Sequence, residues 1–242
     1  MSTRPVDTLR PLRITPDYTD APLASVLIEC GDTRVLCTTS LDEEVPRFRM
    51  DSGGGWLTAE YSMLPGATPQ RTRRAVTRGK LDGRATEIQR LIGRSLRAGF
   101  DLDQIGPCTL WVDCDVLQAD GGTRCASITG AFVAHCLALQ RLVREGELDR
   151  LPLLDTVAAV SAGVIDGTPV LDLPYEEDSR ADVDMNFVVT GAQKLVEVQR
   201  TAEKEPFSRQ VPNQLTDRAL AGCTELRHAQ TTAPGHPAAP AR

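Results

Sequence analysis

The chain changes from strand to helix within the stretch WVDCDVLQADGGTR, which occupies residues 111–124. Apolar and polar residues alternate through its first half, and this period of two predicts a β-strand. One face of that strand carries Leu110, Val112, Cys114 and Val116. The pair Gly121-Gly122 ends the strand, and apolar residues at helical spacing follow over residues 126–137. The stretch therefore predicts a strand, a tight glycine turn and a helix in direct succession.

The start of this helix is a candidate phosphate site. A glycine-rich turn that leads into a helix leaves backbone N–H groups without partners, and the helix dipole favours an anion there. Thr123 adds a hydroxyl donor, and Arg124 adds a planar guanidinium that can bind two oxygens of one phosphate. A tight turn followed by a surface arginine is an alternative explanation, and the spacing alone leaves both open.

Residues 83–97 predict a second, strongly basic amphipathic helix. Its buried stripe would consist of Ile88, Leu91, Ile92, Ser95 and Leu96. Arg84 falls in the first turn, where a cation opposes the helix dipole, and this predicts a neighbouring anion. From Arg71 to Arg97 there are nine lysines and arginines against two acidic residues, although the whole chain carries −6. A solvated face is the usual explanation for such a run, but its density indicates a polyanionic ligand such as RNA.

Five carboxylates cluster between Tyr175 and Asn186. Asp182 and Asp184 share one face if a strand begins there, and Asp178 is expected on the loop that leads into it. An acidic loop is normally only solvated, but a divalent cation would relieve the repulsion among these groups. Mg²⁺ typically binds one or two carboxylates together with water and substrate phosphates. With the basic helix and the phosphate turn, this cluster indicates chemistry on a phosphodiester.

Composition excludes several other classes of protein. No apolar run reaches the roughly 18 residues of a membrane span, so we expect no membrane partner. The N-terminus has no signal-peptide pattern, and we therefore expect a cytoplasmic protein. Seven cysteines without a Cys-x-x-Cys motif favour reduced core residues over disulfides, and three scattered histidines argue against a zinc site. Aromatic residues are only 4% of the chain, so RNA contacts should involve phosphates and sugars.

The order of elements predicts a single α+β domain, a mixed α/β sandwich in which strand hairpins pack on helices. Three hairpins are expected, at 25–30 with 33–40, at 157–165 with 170–173, and at 183–190 with 194–201. A further strand is expected at 56–63, and a last helix from about Pro212 to Ala229. We assign residues 1–230 to this domain and expect the Pro/Ala-rich segment 231–242 to be a disordered tail.

Several motifs, in a fixed order, carry a resemblance to a known family. They are GWLTAEYSMLP at 55–65, the helix at 83–98, DCDVLQADGGTR at 113–124, AAVS at 158–161, ED at 177–178 with DMN at 184–186, and EVQ at 197–199. Over residues 4–230 the chain resembles the ribonuclease PH family of phosphate-dependent 3′-to-5′ exoribonucleases. This family trims tRNA precursors and is related to polynucleotide phosphorylase and the exosome ring subunits.

The resemblance implies a role for each matching residue. Phosphate would be bound, and held for catalysis, by Arg84, Gly122, Thr123 and Arg124. Asp178 and Asp184 match the essential acidic pair thought to hold Mg²⁺, and Arg71 and Arg74 match arginines of a loop that grips RNA. The resemblance also implies a homo-hexamer, built as a trimer of dimers, that releases nucleoside diphosphates from tRNA 3′ ends in a reversible reaction.

Three positions depart from the family pattern. Gly66 and Ala75 stand where an arginine and a glutamate are usual, and Arg200 replaces the glycine that follows EVQ. If Arg200 reached Asp178 and Asp184, it would compete with Mg²⁺, and we expect such intrusion to impair catalysis. These departures leave two alternatives open: a catalytically impaired RNA-binding subunit of an exosome-like ring and, more weakly, a hydrolytic nuclease. Asp113 and Asp115 are expected to be structural, so that their substitution would cost stability.

Overall fold

The computed structural model describes residues 4–74, 77, 79, 82–202 and 206–235. In the first half of the chain its strands and helices are β1 (Leu12–Pro16), β2 (Ala24–Cys30), β3 (Thr33–Asp42), β4 (Trp56–Met63), α1 (Gly83–Arg97) and β5 (Thr109–Gln118). In the second half they are α2 (Thr123–Glu145), β6 (Val157–Ile165), β7 (Thr168–Leu171), α3 (Tyr175–Asp178), β8 (Val183–Thr190), β9 (Leu195–Ala202) and α4 (Gln210–Thr232).

The first sheet has five strands in the order β1-β2-β3-β5-β4. Its pairs are antiparallel except for β4 with β5, which run parallel with Trp56 opposite Thr109. The inward residues of β5 are those of the predicted apolar face, from Leu110 to Val116, and all are buried. Both α1 and α2 cover this face, because α1 packs on β4 and α2 packs on β2 and β3.

The second sheet is fully antiparallel and has the order β7-β6-β8-β9. Helix α2 covers one of its faces and α4 packs on β6 from the other. Since both faces of β6 are covered, all nine of its residues are buried and its sequence is almost entirely apolar. The order of layers is therefore sheet, α1 with α2, sheet and α4, which confirms the mixed α/β sandwich.

Helix α2 is the central element of the fold. Seventeen of its 23 residues are buried between the two sheets. Its length and hydropathy would suit a membrane span, but most of the helix is enclosed by protein. Two buried sides explain why its apolar residues are not confined to one stripe, in contrast to α1, which buries only one stripe.

The helix at 83–97 and the strand at 56–63 have the predicted bounds, and the three hairpins lie within a few residues of theirs. The strand at Leu12–Pro16 was not predicted, and Asp178 closes the short helix α3 rather than lying in a loop. Helix α4 continues through Thr232, into the segment expected to be disordered, and Ala233 packs in the core. Residues 236–242 lie outside the described part of the chain, where the tail remains a prediction.

Candidate active site

The glycine turn between β5 and α2 has the backbone that the sequence implied. Gly121 and Gly122 adopt left-handed φ values of 72° and 64°, a region that suits glycine. A Cβ on Gly121 would collide with the carbonyl oxygen of Leu173, and one on Gly122 would lie 3.0 Å from the Arg10 guanidinium. Gly122 is the N-cap of α2, so the N–H groups of the first turn have no partners within the helix.

A buried ion pair supports this turn from below. Arg10 donates from Nη2 to Asp172 Oδ1 at 2.7 Å and from Nε to Asp172 Oδ2 at 3.1 Å. The same guanidinium donates through Nη1 to the carbonyl oxygen of Asp120. On the other side, Thr33 donates its hydroxyl to the carbonyl oxygen of Gly121 at 2.7 Å. The turn is therefore held by side chains that come from distant parts of the sequence.

Thr123 contacts the hydroxyl of Tyr61, and the charges of Arg84 and Arg124 act on that hydroxyl. Gly122, the fourth predicted phosphate residue, caps the helix on which Thr123 and Arg124 lie. Tyr61 Oη and Thr123 Oγ1 lie 2.9 Å apart and share a hydrogen bond. Burial raises the pKa of Tyr61, while the hydrogen bond with Thr123 and the charges of Arg84 and Arg124 oppose that rise. Both arginines therefore act on one point at the N-terminus of α2. Two positive charges, a hydroxyl and a helix start suit a small oxyanion, and we call Arg84, Gly122, Thr123 and Arg124 the phosphate cradle.

The predicted acidic residues border the same turn from the second sheet. Asn186 donates from Nδ2 to Asp184 Oδ2 at 3.3 Å and accepts from Cys125 Sγ at 3.2 Å. Burial raises the pKa of Cys125, and the charge of Arg124 lowers it while that of Asp184 raises it, so both charges act on the same thiol. Asp178 ends α3, whose first N–H, at Tyr175, donates to Asp120 Oδ1 at 3.1 Å.

Asp113 and Asp115 lie on the outer face of the first sheet. Glu60 is the register partner of Asp113, and both face away from α1 and α2. Burial raises the pKa of Asp113, and the charges of Glu60 and Asp115 raise it further. Burial also raises the pKa of Asp115, but the charge of Arg74 lowers it.

The predicted RNA-binding arginines, Arg71 and Arg74, are exposed on the segment that follows β4. The charge of Arg74 acts on Asp115, which lies on the outer face of the first sheet. Ala75, one of the departures from the family pattern, lies outside the described residues, and so do the nearby cations Arg78 and Lys80.

Arg200 does not lie with the acidic pair. Its neighbour Gln199 contacts Arg124 on the α2 side of the second sheet, whereas Arg200 lines a surface cavity with Phe207, Pro212 and Asn213 at the start of α4. Residues adjacent in a strand face opposite sides of the sheet. Arg200 therefore stands on the opposite face of the sheet from Gln199 and Asp184, which argues against its intrusion on the acidic pair.

Sequence reasoning missed the residues that hold the site in place. Arg10, Thr33 and Asp172 gave no local signal, because each acts across a long separation in sequence. Tyr61 did give one: it stands on the inward face of an alternating strand, where a buried tyrosine hydroxyl normally needs a polar partner. That partner is the predicted phosphate residue Thr123.

Comparison with known proteins identifies the family. The model of the 3′ exoribonuclease family matches the chain in two parts, domain 1 over residues 8–140 and domain 2 over residues 155–221. Ribonuclease PH of Corynebacterium efficiens is 57% identical over 232 residues, which cover 96% of this chain and 95% of that protein. Ribonuclease PH of Corynebacterium kroppenstedtii is 56% identical over 234 residues, covering 97% and 92%.

Solved structures of low sequence identity share the fold. The rice protein Rrp46 superposes with a TM-score of 0.74 at 19% identity, covering 95% of this chain and 97% of that one. A chain of the Archaeoglobus fulgidus exosome, solved with RNA bound to the active site, gives a TM-score of 0.77 at 21% identity and covers 93% and 90%. Both family domains match, and ribonuclease PH relatives are more than half identical over nearly the whole length. This chain therefore belongs to the 3′ exoribonuclease family that includes ribonuclease PH.

Proposed function

We propose that this protein shortens RNA from the 3′ end by phosphorolysis and that the 3′ ends of tRNA precursors are its substrates. One observation carries this proposal: Thr123 and Arg124 stand in the first turn of α2, directly after its glycine cap, and the charge of Arg84 acts on the Tyr61 hydroxyl that is bonded to Thr123. Two cations, a hydroxyl and a helix N-terminus are complementary to inorganic phosphate. A nuclease that used water as its nucleophile would need no site for free inorganic phosphate.

The reaction follows from this position. A phosphate oxygen attacks the phosphorus of the last phosphodiester in line, and a new bond forms between the two phosphates. The bond to the 3′ oxygen of the preceding nucleotide breaks, and this oxygen takes up the proton that the attacking phosphate gives up. The products are a nucleoside diphosphate and a shortened RNA. The cradle places the nucleophile and stabilises its charge, and no covalent enzyme intermediate is needed. Since one phosphate linkage replaces another, excess diphosphate would extend the RNA.

Asp178 and Asp184 are the residues that would hold Mg²⁺. Among the described residues no group of three or more acidic, histidine or cysteine side chains has metal-binding geometry. Two carboxylates beside a phosphate site suit Mg²⁺, because this ion takes its remaining ligands from water and substrate phosphates. When bound, it would neutralise charge on the oxygens of the scissile phosphate. Asn186, hydrogen-bonded to Asp184, would fix the orientation of that carboxylate.

RNA would be held by the exposed arginines Arg71 and Arg74. Their charges suit the phosphate backbone, which carries no sequence information, so they would grip the 3′ tail of any RNA that reaches the site.

We also propose a homo-hexameric ring, a trimer of dimers, in the cytoplasm. Two large apolar side chains, Phe48 and Met50, are 69% and 61% exposed on the 3₁₀ helix at 47–52, and exposed apolar surface of this kind is typical of an interface. All seven cysteines are free thiols, as is usual in a reducing compartment. Light scattering of the eluted protein should give a mass of about six times 26.2 kDa.

The deciding experiment incubates a tRNA that carries a short 3′ tail with the protein and Mg²⁺, with and without inorganic phosphate. Nucleoside diphosphates that form only in the presence of phosphate support the proposal. Nucleoside monophosphates that form without phosphate would identify a hydrolase. RNA binding without nucleotide release in either reaction would identify the impaired ring subunit.

A further inference from the structure

The guanidinium of Arg124 contacts residues from two other elements. Its Nη1 donates to Gln199 Oε1 on β9 at 2.6 Å and lies 3.7 Å from Glu87 Oε2 on α1. The Arg124 side chain is only 19% exposed, so these contacts largely set its direction. Neither partner belongs to the phosphate cradle itself.

The amide of Gln199 can face Arg124 in only one way. Its Nε2 donates to Glu87 Oε1 at 2.7 Å and to Glu197 Oε1 at 3.2 Å. Both of these partners are carboxylates and can only accept, so the carbonyl oxygen of Gln199 must point to Arg124. Glu197 is itself fixed by Arg94, which donates from Nε at 2.5 Å and from Nη2 at 3.0 Å.

Glu87 has a different effect on the same arginine. It lies one turn after Arg84 on α1, and its carboxylate faces the guanidinium that phosphate needs. A phosphate that binds Arg124 would approach this negative charge, and like charges at such distances repel. The hydrogen bond from Gln199 joins the Glu87 carboxylate to the same amide that binds Arg124.

We propose that Gln199 is a positioning residue, which orients Arg124 for phosphate. Glu87 is a counter-anion from the same chain, with which phosphate must compete for Arg124. This inference rests on the proposed function, because it requires Arg124 to bind phosphate. The Glu87–Gln199 pair then sets the phosphate concentration at which the enzyme works, and the two residues act in opposite directions.

Two substitutions separate these effects. Gln199→Leu keeps the approximate volume but removes the acceptor, so Arg124 is left to pair with Glu87, and the KM for phosphate should rise about tenfold. Glu87→Gln keeps an acceptor for Gln199 but removes the charge, so the KM for phosphate should fall about threefold. In both variants the KM for RNA should stay within about twofold of wild type, because the RNA is held elsewhere.

The experiment measures phosphorolysis of a tailed tRNA with phosphate varied, together with calorimetric binding of inorganic phosphate to each variant. Gln214→Leu and Glu225→Gln, both exposed on α4, are the matched controls and should leave both measurements unchanged. Provided that the wild-type enzyme depends on phosphate, the inference is overturned if the KM for phosphate is unchanged in both test variants. It is also overturned if this KM rises in both. If Gln199→Leu does not fold, Glu87→Gln alone tests the inference. A lower KM for phosphate in that variant supports it, and an unchanged or higher KM overturns it. A wild-type enzyme indifferent to phosphate would instead overturn the proposed function.

Discussion

Gln199 and Arg200 are neighbours in β9, yet they serve opposite faces of the second sheet. Gln199 contacts Arg124 on the side of α2, and Arg200 borders the start of α4. We therefore expect Arg200→Gly to leave turnover, and the Mg²⁺ concentration for half-maximal rate, within about twofold of wild type. A steady-state assay over a range of Mg²⁺ tests this. A several-fold gain in rate at lower Mg²⁺ would show that Arg200 does reach the acidic pair.

Removing either guanidinium of the phosphate cradle should abolish most of the activity. Arg124→Ala or Arg84→Ala loses a charged contact with the attacking phosphate, at a cost of about 3 kcal/mol, or about a hundredfold in kcat/KM for phosphate. Binding of tailed tRNA should survive, because the RNA is held by other cations. Arg141→Ala, on the exposed end of α2, is the control. Normal rates at ordinary phosphate in either variant would disprove the assignment.

Substitutions of Asp178 and Asp184 should reduce activity without affecting folding. Asp178→Asn and Asp184→Asn nearly preserve shape but weaken binding of a divalent cation, so we expect turnover to fall about a hundredfold or more. Melting temperature and oligomeric mass should match those of wild type, and Asp149→Asn, on an exposed turn, should be fully active. A variant that loses activity only because it unfolds would contradict this role.

Asp113→Asn should stabilise the protein at neutral pH, contrary to the expectation from sequence. Burial and the charges of Glu60 and Asp115 raise the pKa of Asp113 in the folded state. The folded protein therefore holds this proton more tightly than the unfolded chain, and stability falls as the pH rises through the window between the two pKa values. Removing the charge should raise the melting temperature at pH 7 and have no effect at acid pH, where the carboxyl is protonated in the folded and the unfolded state alike. A lower melting temperature at pH 7 would show that the carboxylate is stabilising.

His135 should make the fold sensitive to acid. It is fully buried in α2 against the edge of Phe100, and among the described residues neither ring nitrogen has a hydrogen-bond partner. Burial lowers the pKa of His135 from 6.5 to about 3. Between these values the unfolded chain binds a proton that the folded protein does not, so stability falls as the pH falls below 6.5, by at most about 1.4 kcal/mol per unit. Urea unfolding should show a shallower pH dependence for His135→Leu, and equal slopes would refute the prediction.

Local patterns predicted most of the strands and helices, and they also led to the candidate phosphate residues. The alternation in β5, the glycine pair and the single apolar stripe of α1 each follow from the contacts of neighbouring residues, and the structure has all three. The strand at Leu12–Pro16 was missed because it is short and its residues are only partly buried. The parallel pairing of β4 with β5, and the contacts of Arg124 with Gln199 and Glu87, depend on how distant segments meet. No local period in the sequence encodes such contacts.

The ion pair of Arg10 with Asp172 has a consequence for synthesis of the chain. The first family domain, residues 8–140, contains Arg84 and the whole glycine turn, but the carboxylate that neutralises the buried Arg10 beneath that turn belongs to residue 172. A ribosome-bound chain that has not yet released residue 172 has the Asp120 carboxylate, 3.7 Å from Arg10 Nη1, but lacks the bidentate partner that Arg10 has beneath the turn in the finished protein. The nascent protein should thus acquire its catalytic centre late, after the second sheet has emerged, and an unfinished chain would not degrade the RNA around it.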